Sequence, residues 1–174
     1  CLLSRGLGDV YKRQDDLART ARFTASSCKA GINPQDVVNG VSRKIGADFN
    51  GWQSDGFAPG GETLTMTFDG EKQVSELRFV FHSDFKYPIR VTMCPNRQVQ
   101  QRPGVPAELM QDYDVELLRG GKVVKTIPVR GNHQRLNVLK FDATACDQVN
   151  LRCLSTNGAP DATVFEVRAY SEQK

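Results

Sequence analysis

The sequence predicts an all-β fold, an eight-stranded antiparallel sandwich of the jelly-roll type, and three observations carry that prediction. From residue 21 onward, apolar residues recur with period two in short runs. Gly, Pro, Asn and Asp clusters separate those runs. Helical period is confined to a short turn at 34–38, with 106–111 as the one other candidate. A strand that alternates apolar and polar residues has one face to bury, and packing two such sheets together buries both faces. With 174 residues, 39% hydrophobic and 25% charged, the chain has the size and composition of one globular domain. No run approaches the roughly 20 apolar residues that a membrane span needs.

The first 14 residues, CLLSRGLGDVYKRQ, stand apart. They lack the regional order of a signal peptide, and GLGDVYKRQ resembles a translated sequencing adapter. We read 1–14 as a non-native leader, 15–20 as a ragged start, 21–171 as the sandwich and 172–174 as a tail. The leader holds Arg5, Lys12 and Arg13 against Asp9, so it accounts for +2 of the formal net charge of +3. The rest is nearly neutral with both signs interspersed, which argues against a nucleic-acid partner.

Residues 22–27 form the first expected strand. Asn33 then suits the N-cap, and Pro34 the first position, of a helical turn that Asn39-Gly40 ends. Ser42 to Gly61 is polar and Gly-rich, holds the only Trp, Trp52, and has the length of a loop that is functional, disordered or a binding rim. Thr63–Phe68 alternates, Asp69-Gly70 breaks the run, and Val74, Leu77, Phe79 and Phe81 supply what reads as an antiparallel neighbour. Pro88–Met93 is a further expected strand, and Pro95 to Pro106 a loop. Tyr113, Val115 and Leu117 turn through Gly120-Gly121 into Val123, Val124 and Ile127, a hairpin. Leu136, Val138 and Phe141, then Val149, Leu151 and Cys153, then Val164, Phe165, Val167 and Tyr170 bring the count to about eight strands.

Catalytic patterns are lacking. His82 and His133 are the two histidines, and there is no G-x-S-x-G elbow, H-E-x-x-H or P-loop around which to build a reaction. Asp112 and Asp114 share the polar face of a strand, with no cleft to hold two carboxyls in a glycosidase arrangement. The chain is expected to be non-catalytic. Apart from Cys1, Cys28, Cys94, Cys146 and Cys153 form no C-x-x-C pair, so they are either disulfide partners, with three pairings open, or small buried hydrophobes.

The order of Ala25-Ser26-Ser27, Val37-Val38-Asn39-Gly40, Trp52-x-Ser54, Phe68-Asp69-Gly70 and Val74-Ser75-Glu76-Leu77-Arg78 resembles the galactose-binding-like, or discoidin-type, β-sandwich. Phe81-His82-Ser83-Asp84, Asp112-Tyr113, Asn132-His133-Gln134-Arg135-Leu136, Ser155-Thr156-Asn157-Gly158 and Val164 to Tyr170 are similar to the C-terminal sandwich of bacterial FAD-dependent oxidoreductases. This second resemblance implies an accessory domain that packs on, or presents substrate to, an upstream catalytic part. FAD would belong to that part, since no G-x-G-x-x-G follows a strand here. The alternative is a carbohydrate-binding module of another extracellular enzyme.

The resemblance also implies candidate sites. Sugar-binding relatives of this fold use an aromatic face with Arg, Asn or His on the loops at one end, which here gives Arg43, Trp52, His82, Arg135 and Asn157. Relatives that hold a structural Ca²⁺ do so where the loop after the first helical turn meets the last strand, which gives Asn39, Ser42 and Glu166. The bland alternative for Asn39 is a left-handed helix cap. Export to the periplasm or beyond is implied by the resemblance alone.

Overall fold

In the computed structural model, residues 16–84, 91–101 and 104–171 are described. They form an antiparallel all-β sandwich of seven strands: β1 Arg22–Ala25, β2 Trp52–Gln53, β3 Glu62–Phe81, β4 Met110–Arg119, β5 Lys122–Val129, β6 Leu136–Thr156 and β7 Thr163–Tyr170. The predicted fold class holds. The leader assigned to 1–14 and the tail at 172–174 lie outside the described residues.

Two pairs of expected strands are each a single long strand. The runs at 63–68 and 74–81 are the two halves of β3, and those at 136–141 and 149–153 are the two halves of β6. Asp69-Gly70 interrupts the alternation without reversing the chain, because β6 runs beside β3 on both sides of it. The register slips between Thr67 and Lys72 and again between Val74 and Glu76. Such irregularities bend a strand. The bent β3–β6 ribbon therefore serves both layers: its first β3 half lies between β1 and β6, with β4 and β5 beyond, and its second half lies between β6 and β7, with β2 beyond.

The core fills the space between the layers. Leu64, Met66, Tyr113, Val115 and Leu151 come from one side and Val74, Leu77, Phe79, Phe81 and Val167 from the other, all buried. Tyr113 spans the gap, with its ring centroid 5.1 Å from that of Phe81 and 6.2 Å from that of Phe79. Its hydroxyl donates to Asn137 Oδ1 at 2.8 Å, so the one polar atom it buries is satisfied.

The turn at Pro34–Val38 is a short 3₁₀ helix capped as expected, with the Asn33 side chain accepting from the Gln35 N–H. Its far end differs in detail. Asn39 is right-handed at φ −72°, and Gly40 takes the left-handed step at φ +86°, because glycine lacks the Cβ that opposes it. The stretch at 106–111 is a turn closed by the Leu109 N–H on the Pro106 carbonyl rather than a helix. The expected strand at 88–93 is not supported where it is described: Val91 and Met93 are exposed and outside any strand, and 88–90 lie outside the described residues. Alternation marks a strand only when a sheet covers its apolar face, and none covers this one. Within the loop expected at 95–106, Pro95–Gln98 forms a one-turn helix, α1.

Asp16–Thr20 is not ragged. Leu17–Thr20 is a 3₁₀ turn whose Ala18 is fully buried, and the Asp16 carboxylate accepts from the N–H groups of Ala18 and Ala169 at 3.1 and 3.0 Å. These bonds tie the start of the described chain to β7. The described cysteines are free thiols: Cys28 and Cys94 are exposed, Cys146 and Cys153 buried. The buried two lie seven residues apart on β6, about 23 Å along an extended strand, too far to bridge each other.

Candidate functional site

The long polar stretch after Gly40 folds back on itself at one end of the sandwich. Asn39 accepts from the Val41 N–H at 2.7 Å and donates to Asn50 Oδ1 at 2.9 Å. Ile45 and Asp48 exchange backbone hydrogen bonds at 3.0 Å, and Asn50, left-handed at φ +57°, donates to the carbonyls of Arg43 and Asp48. Gly51 then passes so close to β7 that an added Cβ would lie 2.6 Å from the Val164 carbonyl oxygen. That approach sets the half-buried ring of Phe49 against Phe165, centroids 5.3 Å apart, while His82 meets the same Phe165 edge-on at 5.3 Å.

The loop and the strand ends enclose an open cleft of about 1160 Å³. Ser42, Arg43, Phe49, His82, Asp84 and Arg135 are among its lining residues. Arg135 anchors the loop by donating to the Ser42 carbonyl. Burial pulls the Arg135 guanidinium below its ordinary proton affinity, and Glu166 opposes that pull; an arginine stays charged regardless. Chemically, the cleft offers one aromatic face, a cluster of cationic donors and an acceptor in Asp84.

The sequence-predicted residues divide between this cleft and other places. Arg43, His82 and Arg135 come together there. Trp52 does not: it is fully buried on β2, and its indole N–H donates to the Ser27 carbonyl at 2.9 Å. It has no face to offer a sugar. Asn157 is spent on the neighbouring loop, donating to the Leu109 carbonyl at 3.0 Å, and is not among the residues lining the cleft. The aromatic that does face the cleft, Phe49, was missed because it sits in a polar stretch with no periodicity to mark it. Its only sequence signal is an apolar ring inside a loop three residues from Trp52. His133 is exposed and away from the cleft.

The residues expected to ligate calcium do not form a cation shell. Asn39 and Glu166 line one small cavity of about 40 Å³ with Asp16, Arg19 and Arg168. Its acidic side chain at Glu166 is already clamped: Arg168 donates to Glu166 Oε1 through Nε at 2.7 Å and through Nη2 at 2.5 Å. That guanidinium is held above its ordinary proton affinity, because the contacts with Tyr170 and Glu166 outweigh the desolvation that opposes them. Asn39 is engaged by Val41 and Asn50, and the Ser42 carbonyl by Arg135. The donor set thus meets a positive side chain where a divalent ion would need open oxygens. Unfolding temperature is accordingly expected to be the same within about 1 °C in EDTA and in excess Ca²⁺; an ion present at about 100 times its Kd would add about 2.7 kcal/mol, a shift easily read by calorimetry.

No family model matches this sequence, and no curated protein does. Solved structures do. A fucose-binding module from Streptococcus pneumoniae aligns over 90% of this chain and 95% of its own, with a TM-score of 0.66 and 13% identity. The fold is the galactose-binding-like sandwich. The lectin domain of lectinolysin, solved with Lewis B antigen, aligns over 90% of this chain and 96% of its own at TM-score 0.67 and 15% identity. The family 32 carbohydrate-binding module of Clostridium perfringens NanJ, solved with galactose, aligns over 90% and 98% at TM-score 0.62 and 10% identity. Identities this low establish shared architecture only. They do not show the expected link to a flavin enzyme.

Proposed function

We propose that this chain is a non-catalytic carbohydrate-binding module whose ligand lies in the cleft between the 40–51 loop and the ends of β3 and β7. The observation that carries the reading is the placement of the half-buried Phe49 ring beside Arg43, His82 and Arg135 in one open cleft. A flat apolar ring packs on the C–H face of a pyranose while charged and imidazole donors pair with its hydroxyls, and neither group alone would give a specific site. The sandwich supports the reading by holding Phe49 on the buried Phe165, so the ring is ordered before ligand arrives and little entropy is lost on binding. Such a domain would act by holding an attached enzyme at its substrate, outside the cytoplasm where such glycans are displayed.

Phe49→Ala tests the reading. The ring is half-buried at the surface, so the variant is expected to fold with a small stability loss and to bind saccharide at least about tenfold more weakly than the wild type by isothermal titration, the worth of one aromatic contact at a binding site. Unchanged affinity in a folded Phe49→Ala protein would place the site elsewhere. Failure of the wild type to bind any glycan on an array would remove the function itself.

A further inference from the structure

Resting on that reading, we infer that the cleft selects an acidic saccharide, one carrying carboxylate or sulfate groups, over a neutral one. The charge around it is one-sided. Arg43, Lys44 and Arg135 line it, and Asp84, only 9% exposed, is the single acid among its described lining residues. Elsewhere several cations are matched locally: Lys29 with Asp161 at 2.9 Å, Lys72 with Asp69 at 2.8 Å, Arg119 with Glu71 at 2.6 Å and Arg130 with Asp114 at 2.7 Å. Arg43 and Lys44 are exposed, adjacent in sequence and, among the described residues, joined to no acid. Residues 15–174 carry a net charge of only +1, so the cleft's three cations against one acid stand out from a nearly neutral chain.

The geometry gives the charges a direction. Arg135 is partly buried at the base of the cleft with one nitrogen committed to the Ser42 carbonyl, while Arg43 and Lys44 follow Ser42 on the loop that forms the rim. A ligand lying on Phe49 would therefore meet fixed positive charge below and mobile positive charge at the edge. Hydroxyl groups need donors and acceptors in balance, and this cleft is rich in donors. Carboxylate and sulfate are acceptors only, which is the complement the donors ask for. Arginine adds the planar fork that matches a carboxylate in two hydrogen bonds.

The test titrates the whole chain with polygalacturonate as the carboxylate polymer, dextran sulfate as the sulfate polymer, and neutral galactan and dextran as uncharged ones. The expected result is binding to an acidic polymer at least about tenfold tighter than to its neutral counterpart. Raising salt from about 50 to about 500 mM should weaken that binding severalfold as the charges are screened. The Arg43→Gln/Lys44→Gln double variant, at unchanged unfolding temperature, should lose about tenfold, two exposed charges each acting as an exposed ion pair does. Preference between the two polymers identifies which acidic group is read. Binding to neutral galactan that matches polygalacturonate and is untouched by the double variant overturns the acidic specificity while leaving the module a saccharide binder. Binding to duplex DNA as tight as to either acidic polymer overturns it as mere adhesion to polyanions. No binding to any polymer removes the proposed function itself.

Discussion

Trp52→Ala is expected to lower the unfolding free energy by about 3–5 kcal/mol, the range for truncating a fully buried aromatic. Trp52 is 0% exposed, in the two-residue strand β2 that pairs with Val164 and Thr163 of β7. Its indole N–H caps the Ser27 carbonyl, and two residues on, the Ser54 hydroxyl donates to the Gly56 carbonyl at 2.7 Å and accepts from the Ala162 N–H at 2.8 Å. The Trp-x-Ser motif thus fastens the loop before β3 to the turn before β7, with an apolar anchor and a polar pin two residues apart. For a domain of this length the loss corresponds to a fall in unfolding temperature on the order of 10 °C. A urea melt of the variant checks it. A loss below about 1 kcal/mol together with vanished saccharide affinity would put the indole at the binding surface instead.

That contrast shows what the sequence makes legible. Most of the strand alternation and the Asn33-Pro34 cap are local patterns, and the structure keeps them. The continuity of β3 and β6 is not local. Asp69-Gly70 reads as a turn in isolation, and only the partner strand lying across both halves makes it a bend. The same limit governs the site. Arg43, His82 and Arg135 have donor chemistry that sequence can flag, but whether an aromatic faces solvent or core depends on what packs over it. Trp52 and Phe49 stand three residues apart in one loop and exchange the roles composition suggests, because β2 carries the indole inward while Gly51 brings Phe49 onto Phe165. The Glu166–Arg168 clamp was hidden for another reason: alternate residues on one strand face the same side, and a fold-based expectation of calcium passes over a guanidinium two positions away.

Glu62→Gln is expected to destabilise the domain by about 2–3 kcal/mol at neutral pH, the scale of hydrogen bonds to a buried charged group. Glu62 opens β3 opposite Cys153 and is 3% exposed. One carboxylate oxygen accepts from the hydroxyls of Ser26 and Ser27, the latter at 2.6 Å, and the other from the Ala58 N–H at 3.1 Å. Three donors converge on two oxygens, so an amide in its place must aim an N–H₂ group at a donor. Burial works against the charge, but those hydrogen bonds outweigh it and hold the Glu62 carboxyl below its ordinary value of 4.5. An acid whose pKa is lower in the folded state contributes stability above the unfolded value, and loses it as pH falls through the folded one. The wild type should therefore lead Glu62→Gln by its full margin above about pH 5 and by progressively less below about pH 4.5. Asp16 runs the other way: burial pushes its carboxyl up, against the pull of the Ala169 and Ala18 N–H groups and Arg168, so its contribution is present at low pH and fades as pH rises. Because both proteins carry Asp16, subtracting their denaturation free energies at each pH cancels it and leaves the Glu62 curve alone. A difference that stays constant from pH 7 to pH 3 would mean that Glu62 is held by its shape and not by its charge.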